Sequence, residues 1–288
     1  MIKRSTIQLL RFPFSFFLMP VFWFALSQVV RPNLGRAFLV FFIIHVLIYP
    51  SSNGFNSYMD RDEGSIGGLE SPPAPTTQLL KVSLVMDLLA LLLGFFISGF
   101  FVVATLIYIL ASRAYSARSI RLKKYPIAGY LTVICCQGAV IFFMVYHGSH
   151  PLKTLNVPVL GLVAASLLIG SFYPLTQVYQ HQADANDGVK TISALLGIRG
   201  TFRFCGIMNV VAFLVLAFFF VLSLEIKEFA LLTTCMLPIL VYYMIWAYQV
   251  WQNPARADFK HTMQMNTIAS SCMSVGFILV FLMNYQLN

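Results

Sequence analysis

Charged side chains are scarce in this chain. Only 10% of its 288 residues are Asp, Glu, Lys or Arg, whereas 59% are hydrophobic. Soluble domains carry roughly a quarter charged residues, so this composition excludes a water-exposed surface for most of the chain. A lipid bilayer is the environment that it suits, and in a bilayer the backbone must satisfy its own hydrogen bonds. The sequence therefore predicts an all-α, polytopic integral membrane protein.

Metal-binding side chains of the zinc type are also few. The chain has five histidines and five cysteines, and they lack the spacing of zinc ligands. All five cysteines lie within apolar segments, where we expect them to pack as small hydrophobic residues. They are Cys135, Cys136, Cys205, Cys235 and Cys272.

The apolar residues form nine runs that are long enough to cross a bilayer as helices. These candidate spans lie near residues 13–30, 37–52, 79–98, 99–115, 128–147, 156–177, 204–224, 229–250 and 266–286. The stretch 79–115 is apolar almost throughout, and we divide it at Ser98-Gly99 because it is too long for one crossing. A single kinked helix there would give eight spans and move the C-terminus to the other side.

The basic residues predict the orientation of this bundle. With nine spans and a cytoplasmic N-terminus, 15 of the 19 lysines and arginines fall on the inner side, and only Arg31, Arg36, Lys153 and Lys227 fall outside. Such a bias is typical of short cytoplasmic loops. The formal charge of +9 therefore indicates membrane topology and anionic lipid headgroups, and we expect no nucleic-acid partner.

The N-terminal residues Lys3 and Arg4 precede an apolar run, as they would in a secretory signal. No small-x-small cleavage site follows, so we expect this run to remain as the first span. A transit-peptide pattern is also missing, which favours a bacterial inner membrane, with the functional site facing the cytoplasm. We expect one domain over residues 1–288, with inner loops 53–78, 113–127 and 180–203 at the mouth of the site.

Two polar segments interrupt the apolar pattern and share one spacing. They contain five of the ten acidic residues, and each carries an amide, a carboxylate four residues later, a second carboxylate three further on, and then glycine. On a helix, such positions line one face. The two series are Asn56, Asp60, Glu63, Gly64 and Gln180, Asp184, Asp187, Gly188.

Oxygen ligands of this kind are typical of a hard divalent cation. Magnesium takes one or two protein carboxylates together with water and substrate phosphates. Two facing acidic stripes at the mouth of a helical bundle would therefore suit a magnesium-bound diphosphate. Each segment alone is equally typical of a solvated loop rich in Asp, Asn and Gly, and the repeated spacing is what favours a functional site.

At these residues the sequence resembles the UbiA superfamily of intramembrane prenyltransferases, which has nine spans and acidic motifs after the second and the sixth. Asn56, Asp60 and the basic Arg61 resemble the first motif. The second motif is matched by Asp184, Gly188, Lys190 and Thr191, followed by Leu196-Gly197. A third element resembles the loop between the fourth and fifth spans, through Tyr115, Ser116, Leu122 and Lys123.

Three positions depart from the family pattern. Gly64 and Gln180 stand where the family has the last acid of the first motif and the first acid of the second, and the residues before Pro72 lack the usual basic side chain. Asp62 or Glu63 would replace one lost carboxylate and Asp187 the other. Helix geometry favours Glu63 and Asp187.

The resemblance implies a transferase of prenyl groups from a polyprenyl diphosphate to a lipophilic acceptor, aromatic or another lipid precursor, with Mg²⁺ as cofactor. It implies the catalytic residues Asp60, Asp184 and Lys190; the diphosphate-binding residues Asn56, Arg61, Tyr115, Lys123 and Lys190; and the metal ligands Asn56, Asp60, Glu63, Asp184 and Asp187. Arg118, Arg121 and Lys124 lie nearby as further cations. An apolar chamber would shield an allylic cation from water.

Other interpretations stay open. A cyclase of the same fold would act on a prenyl diphosphate without an acceptor, and Gly64 and Gln180 also allow a non-catalytic or lipid-binding member of the family. Transport is disfavoured because the acidic groups lie at helix ends and not at the midplane. Asp87 is a separate intramembrane carboxylate, functional by default or placed at the bundle surface. His181 is either a proton acceptor or an exposed loop residue. The acceptor, the prenyl chain length and the oligomeric state do not follow from the sequence.

Overall fold

The structure is a computed structural model that describes residues 2–287. Within these residues, nine helices are long and apolar enough to cross a membrane, which confirms the predicted number of spans. We label them α1 (Arg4–Ser27), α2 (Leu34–Asp60), α3 (Thr77–Gly94), α4 (Gly99–Ser116), α5 (Pro126–Ser149), α6 (Val159–Gln177), α7 (Ile192–Leu222), α8 (Ile226–Gln252) and α9 (Phe259–Gln286). The chain is therefore an integral, multi-pass membrane protein, and large apolar side chains such as Phe38 and Phe96 are 71% and 75% exposed on its outer surface.

The apolar stretch at 79–115 forms two helices, as its length predicts. Helix α3 ends at Gly94, and the Ser98 side chain accepts a hydrogen bond from the Phe101 amide at the start of α4. A serine that caps a helix in this way satisfies an amide that has no partner inside the helix. The division at Ser98-Gly99 is therefore confirmed.

Four helices extend further than the hydropathy predicts at the end of the bundle that holds the acidic segments, since α1 also begins at Arg4 rather than 13 and α9 at Phe259 rather than 266. Helix α2 continues to Asp60 rather than stopping at residue 52, and α7 begins at Ile192 rather than 204. The predicted bound of α2 is wrong because its last turns are polar: Asn56 and Asp60 face a cavity, so hydropathy falls while the helix continues. The added part of α7 is a short helical segment that a kink at Gly197, with φ +69° and ψ +169°, separates from the rest of the span. The inner loops are correspondingly shorter, at residues 61–76, 117–125 and 178–191.

Several helices contain irregular turns. Helix α1 is interrupted at Arg11, whose φ is +48°, and continues as a 3-10 helix from Phe12 to Leu18. Helices α2 and α5 each contain a π-helical turn, at Phe42–Ile48 and Cys135–Val140. Turns of this type often occur beside functional sites.

Aromatic rings fill the centre of the bundle. Phe24 of α1 stacks on Phe277 of α9 with ring centroids 4.8 Å apart, and it contacts Phe142 of α5 at 5.0 Å. All three side chains are fully buried. The first, fifth and ninth helices therefore meet at one packed core.

Helices α5 and α6 cross closely at Gly138. A Cβ atom at this position would overlap the Ser166 backbone of α6. Small residues allow such close approach between membrane helices.

Replacing Gly138 with alanine is therefore expected to lower stability in detergent by about 1–3 kcal/mol, because the added methyl group forces the two backbones apart. Thermal unfolding of the purified protein measures the effect. Gly99→Ala is the matched control, because a Cβ there meets no atom within 4 Å. Equal melting temperatures for the two variants would contradict the close crossing.

The intramembrane carboxylate of Asp87 is buried and ion-paired. It contacts the Arg113 guanidinium of α4 and accepts a hydrogen bond from the Ser51 hydroxyl of α2 at 2.5 Å. The Arg113 guanidinium also lies over the Phe55 ring at 4.1 Å. Asp87 therefore joins three helices and lies neither at the bundle surface nor in the cavity described below.

Candidate active site

A polar cavity of about 190 Å³ lies at the end of the bundle where α2, α4 and α6 finish. Its walls include three carboxylates and two basic side chains: Asp60, Asp62, Asp184, Arg11 and Lys123. Because all three helices are even-numbered spans, their following loops occupy the same side of the membrane. The cavity thus brings together the two acidic segments that are far apart in sequence.

The first acidic segment turns sharply after α2. The helix ends at Asp60, and Arg61 adopts a left-handed conformation with φ +55°. This turn directs Asp62 into the cavity wall and leaves Glu63 exposed. The expected helical stripe through Glu63 is therefore wrong, because the helix stops three residues before it.

Asp60 is an enclosed, ion-paired carboxylate of the cavity. Its side chain is 4% exposed, and its Oδ2 atom lies 2.5 Å from Lys123 Nζ, which is itself 10% exposed. The Asn56 amide donates to the same carboxylate oxygen at 2.8 Å and to Ser116 Oγ at 3.0 Å. The i, i+4 spacing within α2 thus holds Asp60 towards the loop after α4.

The second acidic segment is a short helix, His181–Asn186, that carries Asp184 into the cavity wall. Asp187 follows this helix and turns away from the cavity. Its carboxylate pairs with Arg121, and the Arg121 guanidinium also donates to the Asp187 carbonyl at 3.1 Å. Arg121 lies 3.7 Å from Asp60 Oδ1 as well, so this arginine joins the two acidic segments.

The sequence-predicted residues divide into two groups. Five of them line the cavity: Asn56, Asp60, Tyr115, Lys123 and Asp184. Four lie outside its lining, of which Arg61, Glu63 and Lys190 are exposed and Asp187 is bound to Arg121. The spacing pattern singled out two segments that the structure brings to one cavity, but it could not tell which acids of these segments face inward.

The departures from the family motif have clear structural positions. Gly64 is exposed, and a Cβ atom built there would meet nothing within 4 Å. The side-chain amide of Gln180, in contrast, donates to the Ser65 carbonyl at 3.2 Å. Gln180 therefore joins the loop after α6 to the loop after α2 at the cavity wall.

Two cavity carboxylates have no cationic partner. Among residues 2–287, neither Asp62 nor Asp184 has an ion pair within 4 Å, whereas Asp60 has two. Burial raises the pKa of Asp62, and the nearby Asp60 raises it further. Burial also raises the pKa of Asp184 to about 6, against the opposing effect of Lys123. The cavity thus holds partly buried negative charge that a cation would stabilise.

This donor set fits magnesium held jointly with a substrate. The described part of the chain contains no cluster of three or more His, Cys, Asp and Glu arranged as a complete metal site. Magnesium, however, usually binds through one or two carboxylates and completes its shell with water and phosphate oxygens. Asp62 and Asp184 supply carboxylates of this kind, with Asp60 beside them.

Arg11 is a cavity residue that the sequence did not single out. Its side chain is buried, and its guanidinium donates to the Gly67 carbonyl at 3.3 Å and to the Asn53 carbonyl at 3.4 Å. The sequence signal for Arg11 was its position directly beside the first apolar run. A basic residue there is notable because ionisable residues inside a span are rare. Hydropathy places it in the segment before that span, whereas α1 begins at Arg4.

A hydrogen-bonded series connects the cavity to the second acidic segment. The Tyr115 and Tyr173 hydroxyls lie 2.5 Å apart, and the Gln177 amide donates to Tyr173 at 2.8 Å. Gln177 in turn accepts from the Ser193 amide at 3.4 Å, and the Ser193 hydroxyl bonds His181 at 2.7 Å. His181 is thus held by a buried serine and does not line the cavity.

Comparison with known proteins places these features in a family. The profile of the UbiA prenyltransferase family matches residues 15–268, which include both acidic segments. No protein among curated sequences matches the chain.

Solved structures share the fold along nearly the whole chain. A UbiA homologue from Archaeoglobus fulgidus bound to GPP and Mg²⁺ has a TM-score of 0.68 at 18% identity, over 96% of this chain and 99% of that one. The apo structure of a UbiA homologue from Aeropyrum pernix K1 has a TM-score of 0.68 at 16% identity, over 93% and 98%. A digeranylgeranylglyceryl phosphate synthase has a TM-score of 0.63 at 15% identity, over 98% of both chains.

Proposed function

The chain belongs to the UbiA prenyltransferase family, and from this premise we propose that it transfers a prenyl group from a polyprenyl diphosphate to a lipophilic acceptor with Mg²⁺. The observation that carries the proposal is the cavity in which Asp60, Asp62 and Asp184 face Lys123 and Arg11. Carboxylates bind the metal and basic side chains bind the diphosphate, so a site for the two together needs both kinds of side chain. The surrounding bilayer supplies access for two lipophilic substrates.

The acidic residues of the cavity would hold the metal. Asp62 and Asp184 are the ligands that lack a cationic partner, and Asp60 adds a third carboxylate that Asn56 orients. Bound Mg²⁺ supplies positive charge that offsets the charge of the leaving diphosphate. Asp62 would thus be the metal ligand that the sequence expected at Glu63. Asp187, also expected as a ligand, instead pairs with Arg121.

The basic residues would bind the diphosphate. Lys123 and Arg11 both line the cavity, and their side chains are largely buried. In such surroundings a charge interacts more strongly with phosphate than it does in water. Lys190 and Arg61 are exposed and do not line the cavity, so either would contact a diphosphate there only after a conformational change.

Transfer requires the allylic C–O bond of the donor to break with its electron pair going to the diphosphate. The allylic carbon then bonds to the acceptor, which releases one proton. Tyr115, Tyr108 and Tyr173 line the cavity beside the acidic residues. Their rings and the bilayer around the bundle exclude water from the allylic cation. The faces of the rings also interact favourably with its positive charge.

Relatives support the donor class and the metal. One Archaeoglobus fulgidus homologue is bound to GPP and Mg²⁺, and another structure contains DMAPP and Mg²⁺. The digeranylgeranylglyceryl phosphate synthase is a further protein of this fold. GPP and DMAPP are both prenyl diphosphates, the class of molecule that the charged cavity suits.

We also propose that the cavity faces the cytoplasm. It lies on the side of the inner loops, which hold most of the lysines and arginines. Short loops rich in these residues remain on the cytoplasmic side of the membrane.

The test is diphosphate release by the purified protein from donors of different chain length, with and without Mg²⁺ and with pooled lipophilic acceptors. We expect release that requires Mg²⁺ together with a prenylated product that requires an acceptor. Release with a cyclised product and no acceptor would identify a cyclase instead. Binding of the donor without release under any condition would identify a non-catalytic, lipid-binding protein and overturn the proposal.

A further inference from the structure

A groove separates α7 from α8 on the lipid-facing surface, at the same end of the bundle as the charged cavity. Its polar end is a cavity of about 440 Å³ lined by Arg203 and Trp251, and its continuation towards the membrane centre is a cavity of about 360 Å³. The two parts share Gly206, Val210 and Tyr243 as lining residues, so they form one continuous depression. None of these residues lines the charged cavity.

The groove is about as long as one leaflet of a bilayer is deep. It follows α7 from Arg203 to Leu214 and α8 from Trp251 to Leu240, which is about 16 Å of helix in each case. Half of the hydrocarbon core of a bilayer is about 15 Å. Arg203 is the one charged residue in the described lining. A single hydrocarbon chain along the groove would therefore reach from the membrane surface to the membrane centre.

Two arginines flank the ring of Trp251 at the polar end of the groove. The guanidinium carbons of Arg203 and Arg199 lie 4.9 and 5.7 Å from the ring centroid. Arg199 also donates to the Trp251 carbonyl at 2.8 Å. The two arginines are four residues apart on α7 and so share one helix face. Their contacts with the ring hold both guanidinium groups at the mouth of the groove.

Neither arginine is neutralised by the protein. Within residues 2–287 no carboxylate lies within 4 Å of the guanidinium group of Arg199 or Arg203, and both residues are exposed. Tryptophan is typical of the headgroup level of a bilayer, where the nearest anions are lipid phosphates. A guanidinium group matches a phosphate with two parallel hydrogen bonds.

The net charge of the headgroup decides which lipid fits best. A zwitterionic headgroup brings its own cation towards two guanidinium groups, whereas an anionic headgroup brings none. We propose that the groove binds a phospholipid with an anionic headgroup, its phosphate at Arg199 and Arg203 and one acyl chain between α7 and α8. This site is separate from the proposed function and does not depend on it.

The test uses the fluorescence of Trp251 in the purified full chain, reconstituted in phosphatidylcholine vesicles. Trp251 is exposed, whereas the other two tryptophans, Trp23 and Trp246, are half-buried and buried. Brominated acyl chains quench tryptophan fluorescence on contact. Brominated phosphatidylglycerol and brominated phosphatidylcholine are therefore titrated separately, as matched anionic and zwitterionic probes. The variant Trp251→Phe identifies the part of the signal that comes from the groove.

We expect phosphatidylglycerol to reach half-maximal quenching at a mole fraction about tenfold lower than phosphatidylcholine, because two arginines attract its net charge. Arg199→Gln combined with Arg203→Gln should abolish this preference. The matched control is Arg4→Gln combined with Lys81→Gln, which removes the same charge from exposed positions on α1 and α3. The control should keep the tenfold preference. Exposed substitutions of this kind seldom impair folding.

Three results would overturn the proposal. Equal quenching of the native chain by the two lipids would show that the groove does not select an anionic headgroup. An equal loss of preference in both double variants would show only the general attraction of a basic protein for anionic lipid. Absence of quenching by either lipid would show that another surface, such as a second copy of the chain, covers the groove.

A competition measurement distinguishes a lipid from a free anion. Sodium phosphate should displace brominated phosphatidylglycerol no better than sodium chloride at equal ionic strength, because both salts only screen the headgroup charge. Stronger displacement by phosphate would show that the arginines form a site for the free anion, and it would also overturn the proposal.

Discussion

Replacing Asp62 with asparagine is expected to lower the rate of diphosphate release about 10²-fold. Asp62 lines the cavity and has no cationic partner within 4 Å among the described residues. The substitution keeps the side-chain size and removes the charge that would face the metal. Loss of one preorganised electrostatic contact to a leaving group has an effect of this order. Steady-state release at saturating donor and Mg²⁺ measures it.

Glu63→Gln is the matched control, because Glu63 is the next residue and its side chain is exposed outside the cavity. This variant should retain activity within about twofold, as surface substitutions usually do. The opposite result, with Glu63→Gln inactive and Asp62→Asn active, would show that the loop turns the other way when substrate binds.

Replacing Lys123 with methionine is expected to have a comparable effect, of about 10²-fold, on diphosphate release. Methionine retains the aliphatic length of lysine, so the change removes mainly the ammonium group. Lys123 Nζ lies 2.5 Å from Asp60, and the two side chains are 10% and 4% exposed. The variant loses the cation that would contact the diphosphate and leaves Asp60 with a weaker partner. The affinity for farnesyl thiolodiphosphate should fall together with the rate.

The adjacent lysine provides the control for this prediction. Lys124 lies over the Tyr125 ring, with Nζ 4.9 Å from the ring centroid, and does not line the cavity. Lys124→Met should therefore leave both release and donor affinity within about twofold. A similar loss in both variants would indicate that the loop contributes only general positive charge to the site.

The fold was largely predictable because hydropathy directly reports which residues tolerate lipid. The nine spans and the division at Ser98-Gly99 follow from lengths and apolar runs alone. The predicted bounds were wrong at Asp60, where a helix continues into polar sequence, and at Ile192, where a short helical segment precedes the kink at Gly197. Hydropathy cannot detect such turns, since it measures preference for lipid and not helical conformation.

The candidate site was predictable in its segments but not in its geometry. The paired spacing located Asp60 and Asp184, whereas the choice of Glu63 assumed that a helix continues beyond Asp60. A left-handed residue at Arg61 ends that helix, and a non-glycine residue in this conformation is seldom foreseeable from local sequence. The role of Arg11 depends on contacts with residues 53 and 67, which only the tertiary structure supplies.

The ion pair between Asp60 and Lys123 has a consequence for how the two ligands load. A cation that recruits Asp60 as its third carboxylate draws this side chain away from Lys123, and a diphosphate that binds Lys123 alone leaves Asp60 with only the more distant Arg121. When both arrive, the partners are exchanged and neither charge is stranded. Each ligand should therefore raise the affinity for the other by the same factor, because such linkage is reciprocal. The ion pair therefore favours binding of the complete donor complex over binding of the metal or the diphosphate alone.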